Sequence, residues 1–342
     1  MGKFELNQSY NKQNSFLDTT EGKKNKRSIR TDLALEACEF ALENSLPGIR
    51  NDEQEEKSRF KNLLGIEVEE RKMGEISISI VKVLNEEGVE VTGKPIGEYI
   101  TIEMNSLSNE LDDSEIQVIN EEIIKSFRRF LGDKCETILV IGLGNWNVTP
   151  DALGPRVVNK LNVSRHIKGM LSETEKQKAK NVCALSPGVL GITGIETLEI
   201  VKGVVEHVKP DLVIAIDALA SRSLNRICTT LQISNTGITP GSGVGNRRME
   251  LSEETLGVPV VAVGIPTVVD AATMAYDVID SIMKMFDGKD DQNRKDRILH
   301  DFMNMPERLM VTPKEIDEII DETAALVSHS LNIALGIDTI YN

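Results

Sequence analysis

Residues 137–155 read TILVIGLGNWNVTPDALGP, and this stretch decides the fold. Thr137 to Ile141 is a short apolar run, Gly142-Leu143-Gly144 closes it, and a helix is expected around Pro155 to Leu161. A strand apolar on both faces and followed by a helix is the repeating unit of a parallel sheet buried on both sides. The pattern returns downstream in Asp211 to Ile216 (DLVIAI) and Val258 to Val263 (VPVVAV). Between them, Thr193-Gly194-Ile195-Glu196 has the form of a capping box and predicts a helix ending before Pro210. After Gly264 a further helix is expected from about Val268 to Phe286.

Upstream, a helical pattern at about Leu33 to Leu46 stops at Pro47-Gly48. From Gly65 to Met104 the period becomes two, with Ile76, Ile78 and Ile80 on one face, which predicts antiparallel strands near residues 65–104. Residues 114–131 return to helical spacing. The charged stretch 287–301 reads as an exposed connection, and Thr312-Pro313-Lys314-Glu315 gives N-cap, N1 and N3 of a terminal helix at about 313–336. The fold class is therefore α/β, a mostly parallel twisted sheet covered by helices on both faces with an antiparallel insertion.

The chain has 342 residues, enough for two ordinary domains or one large α/β unit. Its 39 Lys and Arg against 54 Asp and Glu give −15, which argues against a surface that coats nucleic acid. Residues 1–30 hold seven Lys/Arg against three Asp/Glu, a net of +4, leaving −19 for the rest. Residues 1–28, polar and without an apolar period, read as an appendage, and residues 1–30 lack the apolar core of a signal peptide. Cys38, Cys135, Cys183 and Cys228 lie far apart with no C-x-x-C pair, as expected of thiols in a reducing, intracellular compartment. No run approaches the roughly 20 apolar residues of a membrane helix.

Ligands of open parallel sheets bind beyond the carboxyl ends of the strands. Three segments reach that edge, each with an aspartate: 142–155 with Asp151, 217–226 with Asp217, and 264–272 with Asp270. Asp151 beside Pro150 has a helix cap as its plainest role, and Asp270 a turn or cap. Asp217 ends an apolar strand, where a carboxylate is costly to desolvate unless it is bonded or functional. Asp151 and Asp217 leave the same edge, so together they provide a base and an acid for water and a carbonyl. No H-E-x-x-H or G-x-S-x-G is present, and Gly142-Leu-Gly144 lacks both the third glycine and the later acidic residue of a dinucleotide site. The PGSGVGN stretch at 240–246 leaves a nucleotide- or anion-binding α/β protein as the alternative reading.

Six stretches together resemble the germination proteases of spore-forming bacteria. They are 29–36 (IRTDLALE), 142–155 (GLGNWNVTPDALGP), 186–197 (SPGVLGITGIET), 215–219 (AIDAL), 237–246 (GITPGSGVGN) and 255–271 (TLGVPVVAVGIPTVVDA). The core also resembles hydrogenase-maturation proteases, whose G-x-G-N…D loop is echoed by Gly142, Gly144, Asn145 and Asp151, with Thr149 in the same loop. The resemblance implies an endopeptidase that starts degradation of small acid-soluble spore proteins in the forespore or spore core. It implies a homotetramer with no membrane and no direct nucleic-acid partner. It places the two acidic active-site positions on Asp151 and Asp217, implies no cofactor and no metal ligands, and leaves divalent-metal dependence open. It also implies a zymogen. The family's preference for acidic P1, hydrophobic P1′ and Ala at P2′ is met by Asp32, Leu33 and Ala34, so residues 1–32 form the expected propeptide and 33–342 the protease domain. Ile29 stands at P4, where the family's substrates are acidic. An acidic P1 side chain needs a cationic partner, and Arg222, Arg226, Arg247 and Arg248 lie in or near the edge loops.

Overall fold

Alternating and continuous apolar runs sort themselves into two halves of one sheet. The computed structural model describes residues 31–45, 60, 63–74, 76–104, 113–132, 135–241, 248–271, 273–275, 278 and 309–340. In chain order these form α1 (Ala34–Ser45), β1 (Ile66–Met73), β2 (Ile76–Val83), α2 (Glu86–Thr92), β3 (Gly97–Glu103), α3 (Asp113–Phe130), β4 (Thr137–Gly142), α4 (Leu153–Lys160), α5 (Glu173–Lys178) and β5 (Asn181–Leu185). There follow α6 (Leu190–Thr193), α7 (Thr197–Val208), β6 (Leu212–Ser221), β7 (Thr230–Ser234), α8 (Glu253–Leu256), β8 (Val260–Asp270), β9 (Met310–Val311) and α9 (Ile316–Ala334).

The sheet runs β1-β2-β3-β7-β8-β6-β4-β5, with β9 on β8. The pairs β8-β6, β6-β4 and β4-β5 are parallel, and those from β1 to β8 are antiparallel. The antiparallel strands expected within 65–104 are present, and β7 joins them to the parallel core. Along β4 the side chains alternate between two apolar layers. Ile138 and Val140 pack with Ile119 and Ile123 of α3, Val157 of α4 and Val327 of α9. Leu139 and Ile141 pack with Leu198, Val201 and Val205 of α7. Helices thus cover both faces, and each fully buried Leu or Ile contributes roughly 1.5–3 kcal/mol. A third cluster seats Leu35 and Cys38 of α1 on Val81, Val83 and Tyr99. The four cysteines are free, Cys183 being half-buried. No helix among the described residues is long and apolar enough to cross a membrane.

Several boundaries differ from the sequence expectation. The strand read as ending before Asp217 continues to Ser221, because β6 and β8 stay paired from Val213↔Val260 to Ser221↔Val269. Gly264 and Pro266 therefore lie inside β8 instead of breaking it. Leu219 packs against Gly264, where a Cβ would meet its side chain at 2.4 Å, and a register shift at Leu219/Ala220 accommodates the proline. Residues 268–270 are strand, and most of the helix expected out to Phe286 lies outside the described residues. Asp270 ends β8 opposite Met310. Thr193 closes α6 and does not cap α7, whose N-cap is Glu196, with Glu196 N–H donating to Glu199 Oε2 at 3.3 Å. Thr312 donates to the Thr267 carbonyl at 2.9 Å, so α9 begins only after Glu315. The connection at 287–301 lies outside the described residues.

Candidate active site

The sheet steps at its carboxyl edge. The last β4 residue in register, Gly142, stands opposite Ile216, so Asp217 is the first β6 residue beyond the end of β4. The chain then folds over the step, Leu143 N–H donating to the Ile216 carbonyl at 2.8 Å. Asp217 is 5% exposed, and its Oδ1 accepts from Ala218 N–H at 2.9 Å. Burial, then the nearby carboxylates of Asp151 and Asp32, push its carboxyl well above the ordinary aspartate range.

Asp151 closes a single 3-10 turn, Thr149–Asp151, and does not cap α4, whose N-cap is Ala152 without a side-chain bond. Its Oδ2 accepts from Asn145 N–H at 2.9 Å, and the same N–H reaches the Asp151 carbonyl at 2.9 Å. Burial raises its carboxyl from 3.8 to about 6, against the lowering effect of the Asn145 bond. The glycines serve this closure. Gly144, at φ +110°, leaves no room for a Cβ, which would stand 2.0 Å from the Asp151 carbonyl oxygen, and a Cβ on Gly142 would stand 2.3 Å from that of Gly154. Their free space is filled by backbone, and the neighbouring amides of Leu143 and Asn145 are already bonded to Ile216 and Asp151. Thr149 donates to Asp317 Oδ1 of α9 at 2.8 Å, and Thr267 to the Pro150 carbonyl at 2.7 Å.

The segment before α1 lies on this edge. Asp32 N–H donates to the Ala220 carbonyl at 3.0 Å, and Ala220 N–H donates to Asp32 Oδ2 at 2.9 Å. Leu33 and Ala34 are fully buried. Glu36, 2% exposed, accepts from Thr31 Oγ1, from Arg222 N–H at 2.7 Å and from Ser223 N–H at 2.9 Å, fixing α1 to the end of β6.

The arginines fall into different surroundings. Arg226 is bidentate on Glu39 at 2.6 and 2.8 Å and bonds Glu103 at 2.7 Å; these carboxylates hold its pKa above the ordinary guanidinium value despite burial. The Arg222 guanidinium lies 5.4 Å from the centre of the Phe40 ring. Arg248 is 3.9 Å from Glu196, and Arg247 lies outside the described residues, as does 242–246 of the glycine-rich stretch. Among the described residues no three His, Cys, Asp or Glu side chains are grouped to hold a metal ion. Sequence reasoning missed Lys94 and Gln232. Lys94 Nζ donates to the carbonyls of Thr31 and Asp32 at 3.0 and 2.9 Å, while Gln232 Nε2 donates to the Asp32 carbonyl at 3.3 Å. Their only sequence signal is placement, since both precede or lie in strands that reach this edge.

A family model described as germination protease matches residues 41–302. A germination protease of Clostridium tetani is 45% identical over 324 residues, covering 90% of this chain and 95% of the relative. One of Caldanaerobacter subterraneus subsp. tengcongensis is 47% identical over 326 residues, covering 90% and 94%. Among solved structures, a NiFe hydrogenase maturation protease of Thermococcus kodakarensis matches with 20% identity and a TM-score of 0.32, over 62% of this chain and 99% of that one.

Proposed function

Because the chain belongs to the germination protease family, we propose that it is the endopeptidase that begins degradation of small acid-soluble spore proteins at germination. In this reading it is made in the forespore as a zymogen, and residues 1–32 are the propeptide of a single protease domain, 33–342. It acts as a homotetramer in the spore core, without membrane or nucleic-acid attachment, and cleaves after an acidic P1 residue and before hydrophobic P1′ and Ala P2′.

Asp151 and Asp217 are the proposed catalytic pair. Two carboxyls whose surroundings separate their affinities for a proton divide the roles of base and acid between them. Asp151, at about 6, is ionised at neutral pH and takes a proton from the attacking water. Asp217, buried and pushed well above the ordinary aspartate range by that burial and by Asp151 and Asp32, is the proposed acid that gives a proton to the leaving amine.

The observation that carries the reading is the position of the Asp32–Leu33 peptide, bonded to Ala220 three residues beyond Asp217. Leu33 and Ala34 are enclosed as P1′ and P2′ side chains should be. The P1 carboxylate takes the Ala220 N–H, and Arg222 is the arginine proposed to read its charge, Arg226 being committed to Glu39 and Glu103.

A mass-spectrometric time course of the purified chain tests this, with wild type beside Asp151→Asn and Asp217→Asn, with and without chelator. The expected result is loss of residues 1–32 from wild type alone, indifferent to chelator. A processed form that begins anywhere but Leu33 refutes the cleavage site, and loss of processing with chelator makes the aspartates metal ligands.

A further inference from the structure

We propose that Lys94, assisted by Gln232, is the oxyanion-binding group of this protease. The inference rests on the reading of Asp32–Leu33 as the processed peptide, and extends it to every substrate whose P1 residue takes the place of Asp32. Both side chains donate to the Asp32 carbonyl oxygen, Lys94 Nζ at 2.9 Å and Gln232 Nε2 at 3.3 Å. That is the atom on which negative charge develops when water attacks. Donors aimed at such an atom before reaction are among the largest single contributions to acyl-transfer rates.

Both donors are held by the fold. Lys94 follows the left-handed Gly93 that ends α2; its N–H donates to Thr92 Oγ1 at 3.2 Å, and the next residue, Pro95, is tied by the buried Tyr99 hydroxyl at 2.9 Å. Lys94 is half-buried; burial lowers its pKa, and Asp32 and Glu36 oppose that. Gln232 lies in β7 opposite Gly264, and Gly264 lies opposite Asp217. Gln232 and Asp217 therefore share a row and a face of the sheet, with Cα atoms about 10 Å apart across two strand spacings. The Gln232 amide also grips the far side of the peptide, its Oε1 accepting from Ala34 N–H at 2.7 Å.

The step balances as follows. The water oxygen bonds to the Asp32 carbonyl carbon and a water proton passes to Asp151, while the carbonyl π pair moves onto the oxygen between Lys94 and Gln232. Collapse restores the carbonyl, breaks the bond to Leu33 nitrogen, and that nitrogen takes the proton of Asp217. The products are a carboxyl group on Asp32 and an amine on Leu33.

The test uses the full chain. Release of residues 1–32 is timed by mass spectrometry, and the peptide SIRTDLALEA, which copies residues 28–37, is offered in trans. Lys94→Met should slow both reactions about 100-fold, with the loss in kcat and KM within about threefold. Rates within threefold of wild type, or a loss confined to KM, overturn the proposal. Should Lys94→Met lose the wild-type melting transition, Lys94→Arg and Gln232→Leu carry the test. Both should slow processing at least tenfold with melting unchanged, and wild-type rates in both sink it. A wild type that never releases residues 1–32 instead brings down the processing reading on which this one stands.

Discussion

The parallel half of the sheet brings carboxyls to the edge, and the antiparallel half brings hydrogen-bond donors to the same edge. β4, buried on both faces, runs into the loop of Asp151, and Asp217 is the first residue of β6 beyond the end of β4; burial raises both carboxyls. From the antiparallel half, β7 supplies the Gln232 amide and the turn before β3 supplies the Lys94 ammonium, both bonded to the Asp32 carbonyl. Acids thus arise where a strand outruns its neighbour, and the cation arrives from a turn that long-range pairing lays against it. A site assembled from both halves is only as good as the seam between them.

The largest effect tests the division of labour. Asp217→Asn and Asp151→Asn should each lower the self-processing rate by about 10³–10⁴-fold, whereas the Lys94 substitution costs less. A smaller loss in either aspartate variant than in the lysine variant, measured in one mass-spectrometric series, would reverse the assignment.

The next probes the seam. Arg226 joins Glu39 of α1 to Glu103 of β3 from the loop that follows β6, and its side chain is 13% exposed. Arg226→Met strands those carboxylates and should cost roughly 2–3 kcal/mol in urea unfolding. An unchanged midpoint would mean the halves are joined by the sheet alone.

The third concerns pH. The Asp151 carboxyl, raised from 3.8 to about 6, binds its proton more tightly in the folded state than in the unfolded one. Folded stability relative to the Asn variant therefore declines as pH climbs from 3.8 to about 6 and is flat above, a loss of about 2–3 kcal/mol. Thermal melts should show Asp151→Asn matching wild type below about pH 4 and melting higher near pH 8. Parallel melting curves at both pH values would mean that burial does not govern this carboxyl.

The smallest effect lies at the tether from the Asp151 loop to α9. Thr149→Val removes the bond to Asp317, which is exposed, and should cost about 0.5–1 kcal/mol in the melt. A loss several times larger would give α9 a share in shaping the site.

The parallel half was the more legible in sequence. Its strands are apolar runs closed by glycine or aspartate, and Asp217 stands out because nothing else polar interrupts 212–219. The extent of those strands was not legible, because Gly264 and Pro266 are breakers by local rules, yet they are accommodated by Leu219 and a register shift. Asp151 looked like a cap, since Asn145 folds back to it only when the loop closes. Lys94 sits in a Gly-Lys-Pro turn that reads as surface, and its partner Asp32 is 62 residues away. Arg226 reads in sequence as one of four possible partners of an acidic P1 side chain, because Glu39 and Glu103 reach it only through tertiary pairing.

Asp32 meets Ala220 across 188 residues and Gln232 across 200. Translation at roughly 5–20 residues per second separates the synthesis of those partners by about 10–40 s. On the proposed reading, the nascent chain carries the Asp32–Leu33 sequence through that interval without the strands that would act on it. The chain then cannot trim itself before those strands are made, so the order of synthesis delays self-cleavage.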